Sequence, residues 1–505
     1  MKLPYTLIFA GTSSASAFVT PHQLANRGAK PLYSAVVAEE IAVTLSPTKE
    51  ETVDTATSSS TTGGADDETI SRPGLRENAL FQCDPSVKYW RDFQSNGEWT
   101  ARENLQGVVN VANRFAARGR PEAASYLLRH VGRSGYFAGN AILASLASRL
   151  HEQFINNDNN NINEDGGTAT TTGGSILPFN MNSAAATRLL LEAFICYEQD
   201  YESIDAGYYR EPWDMELNHR QSSPINMIVQ TRRFVDEAIG TLARRRLGRD
   251  EDKRIWIDAA SSSLYPEYYQ TAFHYQTDGW MSKRSADVYE TSTETLFLGR
   301  QDAMQRTSLP PIVQQKAKNR SKDSPPMKVL EVACGTGRFM TFIRDNLPLD
   351  TECVAVDLSP FYLEAARDND AYWRKTKHRS GGSSDNIKPL RLIQAQAENL
   401  PFEDESFDAV VCTYLFHELP RHIRAKVASE MSRVLKKGGV LTLTDSIQRG
   451  DRPMLDEKIS NFSAMNEPYY ADYLLDDLPE HFVKEGIKPV SKTVRSTTKS
   501  LTFTK

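Results

Sequence analysis

Two glycines and two acids between residues 331 and 357 have the types and spacing to hold a nucleotide. Glu331 lies in a short apolar run, Gly335 and Gly337 follow it in the stretch EVACGTGR, and Asp357 ends the next apolar run. Glycines in a strand-to-helix turn let the backbone approach a ligand, whose polar groups meet free N–H groups of the helix. An acid about 20 residues after such a turn can accept both hydroxyls of a ribose. The pattern therefore predicts a nucleoside-binding turn.

Apolar periodicity predicts the elements that would position these residues. Residues 329–332 indicate a buried strand, and residues 339–343 indicate a helix with its apolar side chains inward. A second strand ends at Asp357, and Ser359 followed by Pro360 is typical of a helix start. Strand, helix, strand and helix in this order predict a parallel pair of strands with a right-handed crossover.

The spacing of the glycines distinguishes between classes of nucleotide. A dinucleotide-binding turn, G-x-G-x-x-G, needs a third glycine where this chain has Met340. The phosphate-binding loop G-x-x-x-x-G-K-[ST] does not occur in the chain. An NAD(P)-dependent Rossmann oxidoreductase is therefore disfavoured, although it remains an alternative.

Further motifs carry a resemblance to a known family. Residues 400–402 read LPF, residues 406–408 read SFD before an apolar strand, and residues 433–439 read RVLKKGG. With EVACGTGR, this order resembles the class I S-adenosylmethionine (SAM)-dependent methyltransferases, and in particular the ubiquinone/menaquinone-biosynthesis C-methyltransferases (methyltransferase types 11 and 25). The resemblance covers residues 327–505. It implies an α/β fold with a Rossmann-like seven-stranded core, in which the last two strands form a hairpin.

The resemblance also implies SAM as the cofactor and a role for each matching residue. Glu331 would hold the methionine amino group, Asp357 would bind the ribose, and backbone at the glycine turn would face the methionine part. The remaining cofactor-binding residues implied are Ala333, Gly335, Gly337, Leu358, Gln396, Ala397, Glu398 and Tyr414. Ala333 and Gln396 depart from the usual glycine and aspartate at their positions. An alternative for Asp357 is that it caps the helix after Ser359.

Methyl transfer from a sulfonium needs alignment, a dry pocket and, where the acceptor carries a proton, a base. His417, which Glu418 could orient, and His274 are the candidate acid or base groups, although a lone histidine is more often structural. No metal-ligand spacing is present, so no metal is expected. Aromatic residues could line the pocket of a small apolar or aromatic acceptor, such as a quinone, phenol or lipid-like molecule: Tyr268, Tyr269, Trp280, Tyr469 and Tyr470.

The chain divides into segments of different composition. It has 505 residues, enough for several domains. The predicted segments are a signal peptide (1–17), a transit peptide with disordered linker (18–75), a helical region (76–250) with a low-complexity insertion (155–175), an aromatic-rich cap segment (251–326) and the methyltransferase domain (327–505). The cap could cover a substrate or could simply pack between the two larger parts.

The first 30 residues have the composition of a targeting signal. Residues 1–17 combine Lys2, an apolar stretch and a small-x-small cleavage site, and an acid-free stretch beginning with Phe18 follows. This junction resembles the bipartite presequences of algae with complex plastids. It predicts delivery to the chloroplast stroma, with the secretory pathway as the alternative.

Charge and cysteine content narrow the choice of partners. The net charge of −6 gives no basic excess, so we expect no nucleic-acid partner. The five cysteines are scattered and lack CxxC spacing, which disfavours a disulfide scaffold. No apolar run is long enough to span a bilayer, while peripheral membrane contact and the oligomeric state stay open.

The arginines at 244–246 indicate a solvated helix face. A SAM-binding scaffold without turnover is a further alternative.

Overall fold

The computed structural model describes most of the chain from residue 72 onward. The described ranges are 72–160 without residues 94, 96 and 98, then 183–247, 265–318, 325–379, 387–460 and 465–505. The predicted targeting segments up to residue 71, and most of the predicted insertion at 155–175, lie outside these ranges. The first residues of that insertion, 155–160, continue the preceding helix.

An eight-stranded sheet forms the centre of the molecule. Its strands are β1 (Gln82–Cys83), β2 (Lys328–Val332), β3 (Glu352–Asp357), β4 (Arg391–Gln394), β5 (Phe407–Thr413), β6 (Leu435–Ser446), β7 (Lys488–Arg495) and β8 (Thr498–Thr504). Their order across the sheet is β1-β7-β8-β6-β5-β2-β3-β4. All pairings are parallel except those of β8 with β6 and β7.

The sheet confirms the predicted Rossmann-like core of seven strands, β2 to β8, with β7 and β8 as a closing hairpin. The eighth strand, β1, comes from the helical region and pairs with β7 at the sheet edge. The sequence does not predict this strand, because two residues are too few to show a measurable alternation. The helical region therefore adds main-chain pairing to the sheet as well as side-chain contacts.

Helices surround the sheet and build the N-terminal part. They are α1 (Pro73–Leu80), α2 (Pro85–Asp92), α3 (Ala101–Ala117), α4 (Pro121–Asn160), α5 (Ser183–Asp205), α6 (Pro224–Leu247), α7 (Lys283–Leu296), α8 (Gln301–Gln305), α9 (Leu309–Lys318), α10 (Arg338–Asn346), α11 (Pro360–Arg379), α12 (Arg421–Val434), α13 (Tyr470–Tyr473) and α14 (Leu478–Val483). Side-chain caps fix several starts: Thr100 and Glu103 form a capping box at α3, and the Ser282 hydroxyl accepts the Ser285 N–H at α7.

Buried ion pairs join the helical region to the sheet. Asp200 of α5 accepts hydrogen bonds from Arg306 and, at 3.0 Å, from Arg495 of β7. Glu192 of the same helix accepts one from Arg452 at 2.8 Å. Removing one member of such a buried pair leaves an unpaired charge and costs about 3–5 kcal/mol. These pairs therefore hold α5 firmly against the sheet.

The sheet topology predicts a ligand-binding crevice at the carboxyl ends of the central strands. β2 lies between β3 and β5, and the chain leaves it toward β3 on one side before returning to β5 on the other. In open α/β sheets, ligands bind beyond the carboxyl ends of the strands at such a reversal. Among the described residues, no helix is both long and apolar enough to cross a bilayer.

Candidate functional site

The glycine turn connects β2 to α10 and has a left-handed backbone. Ala333, Gly335 and Gly337 have φ values of 56°, 53° and 68°. A Cβ on Gly337 would lie 2.8 Å from the Cβ of Ala366 on α11, whereas a Cβ on Gly335 would meet only the Tyr362 ring, at 4.0 Å. Gly337 is therefore required for packing, and Gly335 leaves backbone open toward the crevice.

Asp357 ends β3 and joins the turn to the next helix. Its Oδ2 accepts the Gly335 N–H at 2.8 Å, and its Oδ1 accepts the Ser359 N–H at 2.9 Å. Burial raises the pKa of the carboxyl, and the N–H groups of Ser359, Gly335 and Leu358 work against that rise. The capping contact with Ser359 is thus present. The same carboxylate also stands beside the open backbone of Gly335, where a ribose is expected.

Glu331 points into the protein directly behind the glycine turn. The side chain is 2% exposed, and its Oε2 has no hydrogen-bond partner among the residues that the structure describes. Burial, and then the charge of Asp357, raises the pKa of Glu331 well above its usual range. A buried polar atom without a partner is rare and costly. An incoming ammonium group would satisfy it, so the residue fits its implied role toward the methionine amino group.

The residues expected near the adenine gather at the tips of β3 and β4. Asp357 and Gln394 are paired across these strands, and the Leu358 carbonyl accepts a hydrogen bond from Gln394 Nε2 at 3.0 Å. Gln396, Ala397 and Glu398 form the turn that follows β4. The structure therefore brings Leu358 and residues 396–398 to the same end of the crevice.

The aromatic segment, residues 265–281, crosses the carboxyl edge of the sheet. The Tyr268 hydroxyl donates to both carboxylate oxygens of Glu398, at 2.6 and 2.8 Å. At the other end, the Ala272 carbonyl accepts from Asn466 Nδ2 at 2.8 Å. Trp280 packs against Phe273 in a buried cluster rather than lining a pocket. These contacts show a packed interface, and the expected role as a cap over a substrate stays a prediction.

Arg244 anchors this segment from α6. Its guanidinium donates to the Tyr275 carbonyl at 2.9 Å and to Thr277 Oγ1 at 2.7 Å, and its side chain is only 12% exposed. The predicted solvated face is therefore wrong at this position. The physical reason is that carbonyls of the left-handed segment, in which Tyr275 has a φ of 57°, need donors.

His417 lies in a single turn of 3₁₀-helix after β5. Its Nδ1 is 2.6 Å from Oδ1 of Asp445 in β6, while its Nε2 is 3.9 Å from Oε1 of Glu418. Asp445 also accepts the Phe416 N–H at 2.8 Å. Asp445, not Glu418, therefore orients the imidazole. Sequence analysis could not assign this pairing, because an acid at the end of a later strand carries no local signal.

His274 reaches the same region from the aromatic segment. Its Nε2 lies 3.1 Å from Oε1 of Glu467, in the connection between β6 and α13. The structure thus brings both candidate histidines to one end of the sheet, where His417, Glu418, Asp445, His274 and Glu467 form what we term the acid–base cluster. In the described part of the chain, no group of three or more His, Cys, Asp or Glu side chains is arranged to hold a metal.

Burial and mutual charge shift the titration of the acid–base cluster. Burial opposes protonation of His417, but the Asp445 carboxylate overcomes it and raises the pKa to about 10. Burial raises the pKa of Glu418 to about 8 and that of Glu467 to about 7. Burial and the charge of His417 lower the pKa of His274 to about 4. His417 is therefore cationic at neutral pH, and His274 is neutral.

Tyr269 and Tyr289 are close enough to carboxylates at both ends for each to act on their phenols. Burial raises the pKa of each phenol, and the charges of both Asp357 and Glu418 add to the shift. Tyr414, by contrast, stacks on Phe297 with its ring centroid 6.3 Å away. Its hydroxyl is 2.5 Å from Oγ1 of Thr498 in β8, so the side chain engages the sheet rather than the glycine turn.

Comparison with known proteins finds a match over the first half of the sheet domain. Residues 329–439 match a family described as methyltransferase domain. The uncharacterized methyltransferase YcgJ of Bacillus subtilis is 30% identical over 141 residues, which cover 28% of this chain and 49% of that protein. The ubiquinone/menaquinone biosynthesis C-methyltransferase UbiE of Rhizobium etli is 29% identical over 168 residues, which cover 33% of this chain and 60% of that protein.

A solved structure of a SAM-dependent methyltransferase from Aquifex aeolicus is 18% identical to this chain. The alignment covers 35% of this chain and 81% of that one, with a TM-score of 0.26. The chain spans about half the length of the curated relatives it matches. The strand order, the glycine turn and the family match agree with one another. Over residues 329–439, the chain therefore contains a region that matches the methyltransferase-domain family.

Proposed function

We propose that the protein transfers a methyl group from SAM to a small acceptor of aromatic or apolar character, such as a quinone, phenol or lipid-like molecule. The unpaired, buried Oε2 of Glu331 behind an open glycine turn carries the cofactor part of this proposal. The acceptor part is supported by the tyrosines above the crevice and by relatives named as menaquinone- and ubiquinone-pathway methyltransferases.

The residues on the crevice suit an in-line displacement. When bound, SAM supplies an activated methyl group on a sulfonium. Glu331 would hold the amino group at one end, and Asp357 would fix the ribose beside it, which together orient the donor. The aromatic segment, tied to Glu398 by Tyr268 and to Asn466 by the Ala272 carbonyl, excludes water from above. The acid–base cluster lies beyond Tyr269 and Tyr289 and can move a proton of the acceptor.

Titration calorimetry with SAM and with NADH tests the cofactor. We expect SAM to bind and Asp357→Ala to weaken it by about 100-fold or more, since hydrogen bonds to a charged group contribute about 1.5–3 kcal/mol each. Asp350→Ala, an exposed acid outside the crevice, is the matched control. NADH binding without SAM binding would favour the oxidoreductase alternative, and SAM binding without transfer to any acceptor would favour a scaffold.

We also propose delivery to the chloroplast stroma through residues 1–17 and the transit peptide that follows. The support is the composition of the N-terminus, with Phe18 directly after the small-x-small site. Fusing residues 1–40 to a fluorescent protein tests it in an alga with complex plastids. Export of the fusion to the medium would contradict the proposal and favour the secretory alternative.

A further inference from the structure

Glu467 is a buried carboxylate with an unused oxygen. The residue is 1% exposed, its Oε1 lies 3.1 Å from His274 Nε2, and its Oε2 has no hydrogen-bond partner in the described ranges. Leaving such an atom without a partner costs about 1–3 kcal/mol or more. Among the residues that the structure describes, none supplies this partner, which leaves Oε2 available to a polar group of a bound ligand.

The neighbours of Glu467 come from every element that packs around it. His417 and Glu418 follow β5, Asp445 ends β6, and His274 belongs to the aromatic segment; their charges act on one another. Tyr470 of α13 has its phenol pKa raised by burial and by Glu467, and Arg245 of α6 acts on His274. Glu467 thus contacts the imidazole of His274 and is close enough to His417, which Asp445 holds, for the two charges to act on each other.

We propose that Glu467 is the catalytic proton acceptor of this methyl transfer, with His274 as its partner and the His417–Asp445 pair as the donor to the acceptor oxygen. The inference rests on the proposed function and deepens it. It replaces the expectation that His417 is the base. An imidazolium paired with a buried carboxylate already holds its proton, so its Nε2–H donates rather than accepts.

With an acceptor that carries a ring hydroxyl, the transfer begins with the loss of the hydroxyl proton. The O–H bond breaks, and its proton goes to Oε2 of Glu467. The electron pair left on oxygen, used directly or through a conjugated ring carbon, forms the bond to the methyl carbon. The methyl–sulfur bond breaks with its electron pair remaining on sulfur. Where a ring carbon attacks, the resulting dienone loses that carbon's hydrogen as a proton to water, and the ring oxygen takes back the proton held by Glu467. The Nε2–H of His417 stabilises the oxyanion while it exists.

The pKa values of the cluster agree with this division of roles. A general base works best with a pKa near the operating pH, and burial places that of Glu467 at about 7. His417, at about 10, stays protonated over the same range because of Asp445. His274, at about 4, stays neutral over this range, so the proton remains on Glu467 while the imidazole 3.1 Å away holds the carboxyl in place.

Glu467→Gln, assayed with labelled SAM and a series of para-substituted phenols of different acidity, tests the assignment. We expect kcat/KM for weakly acidic phenols to fall by about 100-fold or more, the usual contribution of a general base. Phenols that are already ionised in solution need no base, so their rates should remain within a few-fold of wild type. Glu485→Gln, at an exposed position, is the matched control.

Equal losses for all phenols would give Glu467 a merely structural role and overturn the inference. Since a buried substitution can impair folding, His274→Asn tests the same pair from its more exposed side, where the side chain is 32% accessible. It should shift the pH profile of kcat for weakly acidic phenols and leave SAM affinity unchanged. An unshifted profile would overturn the pairing.

Absorbance of bound 4-nitrophenol gives a readout that does not depend on turnover. Because an imidazolium and a base at the site favour its ionised form, we expect the wild type to bind the phenolate at a pH below the solution pKa of the probe. His417→Asn should abolish that shift. Failure of SAM to bind the wild type would refute the proposed function. SAM binding with methyl transfer to amines but to no phenol would overturn only the present inference.

Discussion

The two ends of the crevice are built in different ways. Most of the cofactor end comes from one stretch, residues 331–359, joined by the turn after β4, and backbone N–H groups of Gly335 and Ser359 hold Asp357 there. The acid–base cluster is assembled from four separate segments between residues 274 and 467, and side chains hold one another there. Backbone geometry therefore governs the first end, whereas charge and burial govern the second.

The two ends should therefore tolerate different kinds of substitution. A carboxylate held by backbone donors keeps its place when neighbouring side chains change. An imidazole held by a single carboxylate, as His417 is by Asp445, loses both its orientation and its charge when that partner is neutralised. Substitutions that change the backbone conformation should therefore have their largest effect at the cofactor end. Substitutions that remove a charge should have their largest effect at the acid–base cluster.

The largest effect is expected from Gly337→Ala. Left-handed backbone costs alanine about 1–2 kcal/mol, and the new Cβ would lie 2.8 Å from that of Ala366, adding about 1–3 kcal/mol of overpacking. Urea unfolding should therefore show a loss of about 2–5 kcal/mol.

Gly335→Ala is the matched control for this substitution. It shares the left-handed backbone, but its Cβ would find only Tyr362, at 4.0 Å. We expect a loss of about 1–2 kcal/mol from backbone strain alone, together with weaker SAM binding because the methyl group enters the crevice. Equal stability losses for the two variants would refute the packing role of Gly337.

The same contrast explains what could be predicted from the sequence. The strand, turn and strand around Glu331 and Asp357 follow from apolar periodicity and glycine spacing, which describe neighbours along the chain. The pairing of His417 with Asp445 and of His274 with Glu467 depends on which strand tips become adjacent in the sheet. The sequence contains the two histidines as candidates but no local signal for their acidic partners.

The helical region shows the same limit on a larger scale. Apolar periodicity predicts its helices. It predicts neither β1 nor the two buried ion pairs, which join Asp200 to β7 and Glu192 to the loop after β6. Charged residues far apart in sequence look like solvated residues until the fold buries them together. The solvated face predicted for Arg244 is wrong for this reason, since its acceptors on Tyr275 and Thr277 lie 31 and 33 residues farther along the chain.

A pH-dependent effect of intermediate size is expected at the acid–base cluster. Asp445 raises the pKa of His417 to about 10 in the folded state, so the stabilisation is complete below the unfolded value of 6.5 and is lost as pH rises toward 10. Glu418 and Glu467 have pKa values of about 8 and 7 in the folded state, above the ordinary value of 4.5. Their ionisation as pH rises therefore also lowers the stability of the folded protein. The wild type should therefore be less stable at pH 10 than at pH 6.5.

Asp445→Asn should flatten that dependence. Without the carboxylate, burial disfavours the imidazolium, so the variant should lose about 1.5–3 kcal/mol at pH 6.5, the usual contribution of a hydrogen bond to a charged group. The loss should shrink as pH rises toward 10, because His417 of the wild type gives up its proton over that range. Thermal unfolding at several pH values measures the two curves. Parallel curves would refute the coupling between Asp445 and His417.

The smallest effect, and the only gain, is expected from Ala333→Gly at the start of the glycine turn. Ala333 has a φ of 56°, a conformation that costs a residue with a Cβ about 1–2 kcal/mol and glycine almost nothing. Because glycine also loses more chain entropy on folding, the net gain in unfolding free energy should be about 0.5–1 kcal/mol.

Ala371→Gly provides the matched control within α11, where the backbone is helical and the residue is exposed. There the same chemical change should cost about 1 kcal/mol, because glycine has a low helix propensity. Opposite signs for one substitution at two positions would show that left-handed backbone, rather than the loss of a methyl group, determines the result. A destabilised Ala333→Gly variant would instead mean that the Ala333 methyl makes packing contacts worth more than the relieved strain, and the cofactor end would then depend on side chains as the acid–base cluster does.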